Sequence, residues 1–120
     1  MKVTIKDVSE LKNQTFEDGG KTWSVLRLIE HSKDLPVQEM PLTALNTYTL
    51  CPKPTNMNSF VSHIKKVLEC DLKYPIILDD EGYVMDGRHR IAKALLQGKE
   101  TIKFVRFEET PGYEYDKGTV

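Results

Sequence analysis

The sequence predicts one α/β (α+β) domain, in which a small mixed sheet is flanked by helices. Three segments carry the 3.6-residue apolar spacing of amphipathic helices, and short apolar runs bounded by turn residues lie between them. The 120 residues are enough for a single hydrophobic core. We assign residues 1–109 to this domain and the polar residues 110–120 to a flexible tail.

The N-terminal half is predicted to hold two strands and one helix. Val3–Ile5 can form a short strand, and Asp18–Gly20 can form a turn. From Thr22 the apolar spacing, which includes Trp23, predicts a helix that ends before Pro36. Its start can be capped by Ser24 or Thr22. Residues 37–42 follow as a short edge strand, and 46–58, with two prolines and three asparagines, as a long loop.

The C-terminal half alternates helices and strands. Asn58 or Ser59 should cap a helix whose apolar face, formed by Phe60, Ile64, Val67 and Leu68, faces the core. After it we expect a buried strand at 76–78, a turn at 79–82 and a return strand at 83–85. A helix at 88–97, which ends at Gly98, and a last strand at 101–107 should follow.

Composition and charge exclude some classes of function. The net charge of −1 argues against broad nonspecific DNA binding, for which a strong basic excess is typical, although it permits a local basic patch. Cys51 and Cys70 belong to no metal-ligand or redox pattern, so we expect packing residues. No apolar run is long enough to span a bilayer, and we expect a cytoplasmic protein with no membrane partner.

The most informative motif is the five-residue run Asp86-Gly87-Arg88-His89-Arg90, at a predicted strand-to-helix junction. A helix start carries unpaired backbone N–H groups and a partial positive charge, so cationic side chains there are unfavourable unless an anion is nearby. Backbone amides and arginines together suit a phosphate. We therefore predict a nucleotide- or phosphate-binding site at Asp86, Gly87, Arg88, His89 and Arg90, open to a concavity. The structural alternative is a plain turn in which Asp86 supplies the compensating charge.

Other polar residues have simpler interpretations. Residues 79–81, two aspartates and a glutamate, could hold Mg²⁺, but the turn-forming chemistry of Asp and Gly explains them, and we predict no metal site within the chain. His31 and His63 lie on predicted helices without partners at metal-binding spacing, which indicates surface or helix-capping positions. We also expect a basic surface at Arg88, Arg90 and Lys93, which Lys65 and Lys66 of the preceding helix could extend.

From Val37 to Phe107 the chain resembles the ParB/sulfiredoxin superfamily. The resemblance rests on VQEMPL as first strand, FVSHIKKVL as helix, and PIILDDEGYVMDGRHRIAKALLQG before a closing strand. It implies a small α/β fold whose helix start holds the phosphates of a nucleotide such as ATP, ADP or CTP, with or without Mg²⁺.

The branches of that superfamily differ at position 88. Sulfiredoxins have a catalytic cysteine there and ParB partition proteins have a glutamate, so Arg88 argues against both activities. Free-serine kinases carry D-G-H-H-R, one residue from this motif, but their glutamate after the first strand has no counterpart in 46–58.

The resemblance leaves two hypotheses for the function. One is a phosphotransferase or NTPase whose catalytic residue is unknown. The other is a non-catalytic module that binds DNA or a partner protein, as stand-alone ParB-like domains occur in phages and mobile elements.

Overall fold

A computed structural model of the chain describes residues 15–18, 21–47, 50, 53–112 and 115–116. The strands are β1 (Thr15–Asp18), β2 (Lys21–Ser24), β3 (Gln38–Pro41), β4 (Ile76–Leu78), β5 (Val84–Asp86), β6 (Thr101–Arg106) and β7 (Tyr115–Asp116). The α-helices are α1 (Val25–Ser32), α2 (Met57–Glu69) and α3 (Arg88–Leu96), and a short 3₁₀ helix spans Leu42–Ala44.

The strands form two sheets, which confirms the predicted α/β class. The larger sheet has the order β3-β6-β4-β5 and is mixed: β4 and β6 are parallel, and the other two pairs are antiparallel. A smaller antiparallel sheet has the order β1-β2-β7. None of the helices in the described ranges is long and apolar enough to cross a membrane.

Side chains of the larger sheet alternate between two apolar clusters, as the two-residue period of a strand requires. One cluster contains Ile76 and Leu78 of β4 and packs against Ile91 and Ala94 of α3. The other contains Ile77 of β4 with residues of α1 and β1. The sheet is therefore covered on both faces, and α3 packs against one of these faces.

The N-terminal part differs from the prediction. Residues 21–24 form a strand, so Trp23 lies in β2, opposite Phe16 of β1, and α1 begins only at Val25. Pairing with β1 and β7 overrides the helical spacing, because a β-strand ladder satisfies the backbone of this segment. The helix does end before Pro36, and the strand expected at 37–42 is β3. The predicted strand at 3–5 and the glycines of the predicted turn lie outside the described residues.

The helix α2 also begins earlier than predicted, because its cap lies at least two residues before the expected one. Asn56, rather than Asn58 or Ser59, is the cap, and its side-chain oxygen accepts a hydrogen bond from the Ser59 amide at 2.8 Å. In the segment 110–120, predicted to be a tail, the Pro111 carbonyl accepts from the Trp23 indole at 2.8 Å, and β7 pairs with β2. Part of this segment is therefore integrated into the smaller sheet.

Candidate functional site

The predicted strand-to-helix junction is present, and Gly87 forms it. β5 ends at Asp86, one residue beyond the predicted 83–85, and α3 begins at Arg88 as predicted. Gly87 adopts φ +115° and ψ 16°, a conformation that side chains disfavour. A Cβ atom on Gly87 would lie only 2.4 Å from Cγ2 of Ile76. Glycine is thus required both by the backbone turn and by the close approach of the sheet.

Asp86 and Arg90 form an ion pair across this turn. Nη2 of Arg90 donates to Oδ2 of Asp86 at 2.6 Å, and the two side chains are only 16% and 19% exposed, respectively. Such a short charge-assisted contact fixes both side chains. Asp86 therefore compensates the charge of Arg90, which is the structural alternative that the sequence left open. This ion pair does not involve Arg88, so it does not explain why a second arginine lies at the helix start.

His89 pairs with a residue that the prediction placed on the surface. Nδ1 of His63, on α2, lies 2.9 Å from Nε2 of His89, and one nitrogen donates its hydrogen to the other. The ring centroids are 5.2 Å apart with 23° between the planes, so the two rings meet edge to edge in a nearly coplanar arrangement. The prediction excluded only a partner at metal-binding spacing, and spacing along one helix does not reveal a hydrogen-bond partner on another. At 100° per residue, however, His63 shares a face of α2 with the half-buried Ser59 and Val67.

The environment of His89 favours its neutral form. Burial is the main cause that lowers the pKa of His89 from 6.5 to about 4, and the charges of His63, Lys66 and Arg90 act in the same direction. The Asp86 carboxylate opposes them. At neutral pH His89 is therefore uncharged, and its ring can accept or donate a hydrogen bond without adding positive charge to the helix start.

Arg88 is the exposed member of the motif. Its guanidinium carbon lies 5.9 Å from the centre of the Phe16 ring on β1, at the outer limit of a cation–π contact. The first hydrogen bond within α3 runs from the Ile91 amide to the Gly87 carbonyl at 2.9 Å, so the amides of residues 88–90 precede the helical ladder. Gly87 has no side chain with which to cap them. The helix start thus combines backbone donors with one solvent-accessible arginine.

Lys93, the third residue of the expected basic surface, makes its contacts with the end of α2. Its ammonium group donates to the carbonyl oxygens of Leu68 at 3.1 Å and Cys70 at 2.5 Å, where it caps the C-terminal end of α2. Burial raises the pKa of the Cys70 thiol, and its Sγ donates to the Val67 carbonyl at 3.3 Å. The charge of Lys93 is therefore directed at the end of α2, and Cys70 is a packing residue as predicted. Cys51 lies outside the described residues.

The acidic turn after β4 has the predicted turn chemistry. Oδ1 of Asp79 accepts from the amides of Glu81 at 2.9 Å and Tyr83 at 2.8 Å, and the Asp80 amide donates to the Thr110 hydroxyl at 3.0 Å. Within the described ranges no group of three or more histidine, cysteine, aspartate or glutamate side chains is arranged to hold a metal ion.

Two clefts lie away from the motif. One is lined by residues of α1 and of the segment after β6, including Arg27, His31 and Glu108. The other lies between the 3₁₀ helix and the end of α3, around Leu42, Leu45 and Leu95. Asp86–Arg90 line neither of them, so the concavity expected at the motif is not one of these two clefts, and Arg88 is the residue of the motif that is exposed to solvent.

Comparisons of the chain with protein-family models, with curated proteins and with solved structures give no match.

Proposed function

We propose that the chain binds the phosphate groups of a nucleotide at the start of α3. The observation that carries the proposal is the uncapped helix start after Gly87, where backbone amides and the exposed Arg88 occur together. Amides at a helix N-terminus bind anions because the helix dipole and the unpaired N–H groups act in the same direction.

The charges around this helix start support an anionic ligand. Arg88, Arg90 and Lys66 are cationic and Asp86 is the opposing carboxylate, while His89 is neutral at pH 7. Three positive charges against one negative charge leave an excess of two. Such an excess at the positive end of a helix dipole is unfavourable by itself and is relieved by a bound phosphate.

A phosphotransferase or NTPase is a second candidate, and it requires a group that accepts a proton from an attacking hydroxyl or water. His89 is unprotonated at neutral pH, but its pKa of about 4 makes it a weak base, and its Nε2 already contacts Nδ1 of His63 at 2.9 Å. Asp86 is no better suited, because Arg90 already occupies one of its oxygens at 2.6 Å. The arginines would stabilise the charge that develops on the transferred phosphoryl group.

Calorimetric titration with ATP, ADP, CTP and GTP, each with and without Mg²⁺, tests the binding proposal. We expect the Arg90→Ala variant to bind the best ligand more weakly by roughly 1.5–3 kcal/mol, the range for hydrogen bonds to charged groups. Arg88→Ala should also weaken binding, and because Arg88 is exposed, this variant should retain the stability of the parent protein. The same titrations, followed for phosphate release, test hydrolysis.

Arg27→Ala is a matched control, because it removes the same charge from α1, next to a different cleft. It should leave nucleotide affinity unchanged. Thermal unfolding of each variant without ligand separates the loss of a binding group from the loss of the fold. The absence of heat and of any thermal shift with all four nucleotides at millimolar concentration would end the nucleotide proposal.

A further inference from the structure

The helix α2 presents an apolar face to solvent. None of its thirteen described residues is buried. Five large apolar side chains on it have exposed fractions from 42% at Ile64 to 72% at Met57; the others are Phe60, Val61 and Leu68. The prediction that Phe60, Ile64 and Leu68 face the core was therefore wrong, and only Val67 of that set is half-buried.

The side of α2 that contacts the domain is a different one. Ser59, His63 and Val67 are half-buried and recur every four residues, and His63 bonds His89 of α3. The exposed apolar residues lie on another side of the helix. At 100° per residue, this side is rotated by about 130° from the one that contacts the domain, and its members are Met57, Val61, Ile64 and Leu68. The exposed apolar face is thus a second face of the helix and has no role in its docking to α3.

We propose that this face pairs α2 with α2 of a second copy of the chain, in antiparallel orientation. The spacing of Met57, Val61, Ile64 and Leu68 is four, three and four residues, the pattern of a coiled-coil seam. This spacing is unchanged when the helix is reversed. A two-fold axis near the middle of α2 therefore places Met57 against Leu68 of the second copy, and Val61 against Ile64, so the face is complementary to itself.

The charges next to the seam are compatible with this orientation. The seam positions themselves carry no charge, and the first turn of α2 contains no acidic residue. Antiparallel pairing brings Glu69, at the C-terminal end of one helix, beside the positively polarised first turn of the other. A parallel pair would instead align the two helix dipoles and bring like-charged residues of the two copies side by side.

The size of the face indicates a weak dimer. The five side chains expose on the order of 500 Å² of apolar surface, at the upper range of patches on monomeric proteins. Two such faces with their polar rims reach about 1,200 Å² in total, the lower end of specific interfaces. We therefore expect a reversible dimer with a dissociation constant in the micromolar range or above.

Sedimentation equilibrium of the full chain from roughly 1 µM to 1 mM, the range that spans such affinities, tests the proposal. The parent protein should change from monomer to dimer. Ile64→Glu should raise the dissociation constant at least tenfold, because two carboxylates would be buried next to the axis. Val37→Glu is the matched control, since Val37 is 57% exposed outside α2, and it should dimerise like the parent.

Disulfide trapping tests the orientation. Met57→Cys and Leu68→Cys proteins, each also carrying Cys51→Ser and Cys70→Ser, are mixed and oxidised. Antiparallel pairing predicts the mixed disulfide, because residues 57 of the two copies are then separated by about 16 Å along the helices, at 1.5 Å per residue. Disulfides mainly between identical positions would refute this orientation.

Two further outcomes would overturn the proposal. One is a parent protein that stays monomeric at all concentrations. The other is an Ile64→Glu protein with reduced stability at concentrations where the parent is monomeric, because this would show that a segment of the same chain covers the face.

Discussion

Replacing Gly87 by alanine should destabilise the fold more than any other single methyl addition at a described glycine. The new Cβ would lie 2.4 Å from Cγ2 and 2.8 Å from Cβ of Ile76, distances that cannot persist without a shift. Ile76 is fully buried in β4 between β5 and β6, so its atoms cannot move away. The backbone conformation at φ +115° adds to the cost.

The magnitude follows from these two causes. A residue with a side chain in a left-handed conformation costs roughly 1–2 kcal/mol, and overpacking a filled core costs typically ~1–3 kcal/mol. Alanine also lowers the conformational entropy of the unfolded chain, which stabilises the folded state by about 0.4–1 kcal/mol and offsets part of this cost. We expect Gly87→Ala to lower the free energy of unfolding by about 2–4 kcal/mol in total.

Gly82→Ala separates the two causes. Gly82 has φ +91°, but its nearest neighbours are side-chain atoms of Arg106 at 3.7 Å, an ordinary contact distance. This variant has the conformational cost without the clash, so its free energy of unfolding should fall by about 0–1.6 kcal/mol. Urea denaturation monitored by far-UV circular dichroism measures both variants. Equal losses for Gly87→Ala and Gly82→Ala would refute the argument that contact with Ile76 requires glycine.

Three further predictions address the titration of the site, the thiols and nucleic acid. The pKa of His89 is lower in the folded state than its ordinary 6.5, so the free energy of unfolding is highest above about pH 6.5 and falls by about 1–3 kcal/mol as the pH drops toward 4. Urea midpoints measured across this pH range test the prediction. His89→Gln should flatten the profile, and the control His31→Gln should preserve it. Replacing Cys51 and Cys70 together with serine should leave nucleotide affinity intact, and a folded variant that lost binding would contradict the packing role of Cys70. Binding to duplex DNA should be weak and strongly salt-dependent, and a gel shift showing sequence-specific submicromolar binding at physiological salt would contradict this.

The parts of the fold that the sequence predicts well depend on local chemistry. The turn after β4 follows from Asp79, whose side chain bonds amides two and four residues ahead. The start of α3 follows from Gly87, and its end from Gly98, which adopts φ +70°. In each case one residue and its near neighbours in sequence determine the conformation.

The parts that the sequence does not predict depend on distant residues. Helical spacing places Trp23 on a helix, but pairing with β1 makes its segment a strand. The spacing in α2 correctly indicates an apolar face, but periodicity does not reveal whether the fold covers it, and here Ile64 remains exposed. The His63–His89 contact joins residues 26 positions apart and has no local signature.

The three side chains after Gly87 leave the first turn of α3 in different directions, and each meets a different element. Arg90 bonds Asp86 of β5, His89 bonds His63 of α2, and Arg88 extends over Phe16 of β1. Two of these contacts are close and partly buried, and they give Arg90 and His89 a structural role in addition to any contact with a ligand. They also hold the amides of the first turn in place, which would reduce the entropic cost of binding the proposed ligand. Among the residues that the structure describes, Arg88 has only the distant contact with Phe16, and the proposed anionic ligand would account for its charge at a helix start.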